Sequence, residues 1–136
     1  MLGDKIGEFT GKVTGTRVIP GDDFRYVKME SSWEEQGAVL GVPGANMGTV
    51  TIFERVPGQI YGESQGICMT AEGGVIWNSF AVSRMTGEGM ASSVRFSVAF
   101  QAPATGTLAR LNGILGVGEQ EIGADGSTKT TIWEWK

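Results

Sequence analysis

Glu54 is spaced evenly with Val50, Ile52 and Val56, and a period of two puts these side chains on one face of a strand. If that face is inward, the carboxyl enters an apolar interior where it has to be paired or hydrogen-bonded. Such a group is a weak candidate for an acid or base. By the same counting Asn78 and Arg84 share a face with Ile76, Phe80 and Val82. Glu54, Asn78 and Arg84 would then form a polar cluster inside an apolar chamber, with Phe80 and Trp33 completing a ligand-binding set. The competing reading leaves each charged head near a strand end, in water, or in a structural ion pair.

Other chemistries lose their parts. There is no histidine, which removes histidine-based triads and the usual zinc and iron sites. The lone Cys68 sits among Gly62, Ser64, Gly66 and Thr70, and reads as a small buried hydrophobe rather than a nucleophile. Glu63, Glu119 and Glu121 invite a paired-carboxylate reading of the glycosidase kind, but glutamates on solvent faces are ordinary. No phosphate-loop spacing occurs, and GILGVGEQ at 113–120 lacks the third glycine of a dinucleotide fingerprint. No metal and no cofactor are therefore expected.

A net charge of -4 with dispersed lysines and arginines argues against nucleic acid as a partner. No apolar run approaches the roughly 18 residues of a membrane helix, and the opening MLGDKIGEFTG has no signal-peptide core. A cytoplasmic protein without membrane contact is the expectation.

The elements that must position these residues read as strands. In 90–101, Val94, Phe96, Val98 and Phe100 alternate strictly with Ser93, Arg95, Ser97 and Ala99. In 5–19 the glycines 7, 11 and 15 share a face with Phe9 and Val13, leaving one side nearly bare, able to bend or to admit another backbone. Further strands are expected over 24–33, 49–56, 59–70, 75–85, 114–122 and 127–136, mostly separated by short glycine-containing turns. Residues 37–48 (GAVLGVPGANMG) read as a wide hairpin loop with a short strand at 38–42, or as a lid over a cavity mouth. At most one helical turn is expected, near 105–112, with Thr105 or Thr107 as N-cap and Gly113 as stop.

Eight strands with almost no helix in 136 residues predict an all-β, single-domain protein spanning 1–136. An open meander would leave two unprotected edges, so the chain is expected to close as an antiparallel up-and-down barrel. The alternating hairpins, the bare glycine-rich strands and the late words TGTLARLNGILGVGEQEI resemble the small calycin-type barrels of the allene oxide cyclase and dirigent kind. That resemblance implies a barrel, frequent oligomerisation and an interior that holds apolar small molecules, and it transfers no site residue.

The primary expectation is a module that binds a small hydrophobic molecule. The alternatives are a cofactor-independent isomerase or cyclase, and a filled structural barrel forming a homo-oligomer, dimer or trimer, through its surplus tryptophans and methionines such as Met29 and Met47. A cavity above about 300 Å³ opening beneath 41–48 would favour binding.

Overall fold

The computed structural model describes residues 1–21 and 27–136, and of Arg55 the backbone alone. The chain runs β1 (Leu2–Ile19), β2 (Lys28–Val39), β3 (Val42–Val56), β4 (Gln59–Thr70), β5 (Gly73–Met85), β6 (Ser92–Gln101), a 3₁₀ helix (Thr107–Gly113), β7 (Leu115–Ile122) and β8 (Ser127–Trp135). Each strand pairs antiparallel with the next, and β8 pairs with β1, closing an eight-stranded barrel. Closure gives both edge strands a partner, which is the reason a chain of this pattern curls round. Among the described residues no helix is long and apolar enough to cross a membrane.

Val94, Phe96, Val98 and Phe100 of β6 do line the interior. The expected start of the second strand at Phe24 and Tyr26 lies outside the described residues.

Residues 37–48 are neither wide loop nor lid. Gly37, Ala38 and Val39 pair with Gly44, Pro43 and Val42, and the hairpin turns through Leu40 and Gly41 alone. Both have positive φ, 49° and 77°, as a type I′ turn requires. Leu40 tolerates this strained region because its N–H donates to the Ile6 carbonyl at 2.8 Å and its side chain packs on the core.

One end of the barrel is plugged. The 3₁₀ helix buries Leu108 and Leu111 completely, beside Val39, Val42 and Val75 in the same core. Its N-cap is Gly106 with no side-chain cap bond, so neither threonine performs that task. Asn112 latches it instead, accepting from the Ala102 N–H at 2.8 Å and donating to the Ala102 carbonyl at 3.2 Å. At the opposite end the inward residues Val50, Ile52, Ser83, Val94 and Ile122 are only half-buried, so the chamber opens there.

β1 wraps tightly against β2 because Gly11 has no side chain. A Cβ at Gly11 would stand 1.9 Å from the Glu34 carbonyl oxygen and 2.6 Å from the Glu35 Cα. The bare face of the first strand thus admits a neighbouring backbone. A Cβ at Gly15 would meet nothing within 4 Å. Gly11→Ala is expected to cost about 3 kcal/mol or more in urea unfolding, and Gly15→Ala to stay within about 0.5 kcal/mol of the parent. Equal small effects would show that β1 and β2 do not approach this closely.

Candidate functional site

Parity along each strand decides what faces the chamber. β2 carries Ser31, Trp33, Glu35 and Val39 inward, and β3 carries Asn46, Val50 and Ile52. β4 contributes the small residues Gly62, Ser64 and Cys68, while β5 turns Val75, Trp77, Ser79, Ala81 and Ser83 inward. On β7 and β8 the inward set is Gln120, Ile122, Thr128, Thr130 and Ile132. Together with Phe9, Val13 and the inward face of β6 these enclose a cavity of about 160 Å³.

The cavity owes its shape to rings laid over bare strand positions. Added Cβ atoms at Gly48 and Gly66 would fall 2.6 and 2.2 Å from the Trp77 ring, and one at Gly118 would fall 2.3 Å from Phe96. The glycines of β3, β4 and β7 are therefore the seats of aromatic side chains reaching across from β5 and β6. Trp77 donates its indole N–H to Asn46 Oδ1 at 2.8 Å and lies 5.9 Å from the Trp33 ring.

Among the described residues that line this chamber one is a carboxylate. Glu35 is 1% exposed, and a buried carboxylate requires hydrogen bonds. Oε2 accepts from Thr128 Oγ1 at 2.8 Å and Thr130 Oγ1 at 2.7 Å, and Oε1 accepts from Trp33 Nε1 at 3.2 Å. Gln120 Nε2 donates to Thr130 Oγ1 at 3.1 Å and extends the network. Thr128 and Glu35 belong to strands on either side of β1, and both pair in register with Gly11. The missing side chain at Gly11 is the window through which a β8 hydroxyl reaches a β2 carboxylate.

Of the sequence-derived candidates, Trp33 lines the cavity. Asn78, Phe80 and Arg84 do share a face, but it is the outer one: Asn78 and Arg84 are exposed and Phe80 is 45% exposed. The reversal follows from Trp77, whose large ring fits the Gly48 and Gly66 seats and takes the neighbouring parity outward with it. Glu54 has the parity of Val50 and Ile52 but pairs with Ile60 near the open rim, is half-buried and lies outside the cavity lining. No hydrogen bond or ion pair joins Glu54, Asn78 and Arg84 among the described residues. Glu119 and Glu121 are held on the outer wall by one arginine, Arg95, at 3.4 and 3.0 Å, and Glu63 is exposed on β4.

Sequence periodicity misses Glu35 because the expected second strand ends at Trp33. Extending the same alternation through Trp33, Glu35, Gly37 and Val39 places Glu35 inside. Among the described residues no group of three or more His, Cys, Asp or Glu side chains is arranged to hold a metal.

The sequence matches no family model and no curated protein. Solved structures share the architecture. A β-barrel-like protein from Acinetobacter baumannii AYE superposes with a TM-score of 0.79 at 9% identity, covering 100% of this chain and 96% of its own. A conserved protein of unknown function from Rhodopseudomonas palustris gives 0.77 at 14% identity, with 99% of each chain covered. A protein of unknown function from Clostridium acetobutylicum ATCC 824 gives 0.74 at 12% identity, with 98% of each covered. At these identities the likeness is one of fold.

Burial pushes the Cys68 thiol up to about 11, so it stays protonated at neutral pH. Its folded value lies above that of an exposed thiol, so the linked stability is full below about pH 9 and is lost as pH rises towards 11. Iodoacetamide at pH 8 should label Cys68 in the native protein about 100-fold more slowly than in urea. Comparable rates would show an accessible thiolate.

Proposed function

We propose that this barrel binds one small, mainly apolar molecule in its chamber, entering through the end opposite the 3₁₀ plug. The carrying observation is the void itself, which persists among large inward side chains and is sealed at one end by Leu108 and Leu111. At about 160 Å³ it is roughly half the expected size, and it opens at the other end from residues 41–48. An apolar void of about 150 Å³ accepts a benzene-sized guest. The occupant is accordingly a compact molecule of ring size, not an extended lipid. The resemblance to allene oxide cyclase and dirigent barrels supports the same reading by analogy, since those hold apolar small molecules.

Binding ranks above an isomerase- or cyclase-type reaction. Glu54 does not line the chamber, and Glu35, which does, is held by three of the protein's own donors as an anchored charge. Native mass spectrometry of protein purified from its source should show a retained small molecule, and benzyl alcohol should raise the melting temperature. Ala81→Phe, which fills the chamber from β5, should abolish that rise. No retained mass and no thermal shift with compact apolar probes, or an equal shift in Ala81→Phe, would overturn the reading.

A second reading, assembly of like chains, is favoured by the outer wall. Phe80, Ser97, Val117 and Trp133 are successive register partners across β5 to β8. The adjoining row holds Ala99, Leu115, Trp135 and Leu2, of which Leu115, Trp135 and Leu2 are 47%, 52% and 55% exposed. Ser97 lies in a shallow trough walled by Leu2, Phe80, Val117 and Trp133, the kind of exposed patch that marks an interface. Light scattering should give a dimer or trimer that Phe80→Lys with Val117→Lys converts to monomer. A monomeric parent would remove this reading.

A further inference from the structure

We propose that the chamber selects an organic cation: a compact aromatic or aliphatic molecule carrying one amine or ammonium group. This rests on the binding reading and specifies its ligand class. Among the described residues lining the cavity, Glu35 is the only charged side chain and none is lysine or arginine. Its hydrogen-bond donors are two hydroxyls and an indole, all neutral, so its negative charge has no counter-ion within the chamber.

A carboxylate has about four acceptor positions. Oε2 has two donors and Oε1 one, and at 1% exposure Glu35 acts on the occupant by its charge rather than by direct contact. Trp33 joins the two halves of the site. Its N–H donates to Oε1 while its ring lines the cavity, so an ammonium set against that ring stands beside the carboxylate. Donation to an anion also enriches the indole ring in electrons and strengthens its attraction for a cation. Trp77 and Phe96 provide further aromatic walls. A carboxylate or phosphate ligand would instead meet an unscreened like charge in a medium of low dielectric.

The test uses three probes of one size: benzylammonium, benzyl alcohol and benzoate. Calorimetry or tryptophan fluorescence should give benzylammonium about tenfold tighter binding than benzyl alcohol, with no measurable binding of benzoate. Glu35→Gln should erase the preference for the ammonium, so that benzylammonium binds no tighter than benzyl alcohol. Because the three-probe order is read on the parent protein, it stands whether or not that variant folds. Benzyl alcohol bound as tightly as benzylammonium would overturn the cation proposal and leave the binding reading intact, as would any binding of benzoate. Failure of all three probes would overturn both.

Discussion

The structure depends on supplying hydrogen bonds to a carboxylate taken out of water. Glu35 enters the apolar interior, and an unsatisfied group there would cost several kcal/mol. Its donors come from β2 itself and from β8, two strands away, with β1 between them. The hydrogen bonds therefore span the seam at which the first and last strands meet. A barrel opened at that seam would strand the carboxylate, so polar satisfaction and closure reinforce each other. Gly11 permits both, since any side chain there would collide with the β2 backbone.

The void is the complement of this arrangement. Rings from β5 and β6 occupy the glycine positions of β3, β4 and β7, which binds the walls together without filling the centre. Leu108 and Leu111 close one end, and the other is lined by half-buried side chains such as Ile52 and Ile122. An eight-stranded barrel has just enough interior for its own side chains or one small guest, and here the small residues of β4 and β5 leave a cavity of about 160 Å³. Among the described residues that line it Glu35 is the charged one, set beside the Trp33 ring.

Much of the fold could be read directly from residue patterns. The strict alternation of β6 named its inward face, the glycines of β1 announced a backbone approach, and the exposed edges of an open meander required closure. Elsewhere the pattern was ambiguous for physical reasons. β5 has apolar residues on both faces, so period two separates Ile76, Phe80 and Val82 from Val75, Trp77 and Ala81 without saying which set is inside. Pro43 and the glycines around it suggested a loop. Yet Gly41 only completes the two-residue turn, and Gly44 lies within the paired hairpin, where a Cβ would stand 2.6 Å from Cys68 Sγ.

Strand count, antiparallel hairpin order, closure and the absence of histidine-based chemistry follow from local periodicity, turn residues and composition alone. Which face of β5 looks inward, that Glu35 lines the chamber, and how large a space remains emerge only in the assembled barrel. Those outcomes are set by contacts between residues distant in the chain. The seating of Trp77 on Gly48 and Gly66 and the reach of Thr128 past Gly11 to Glu35 exist only once the strands are side by side.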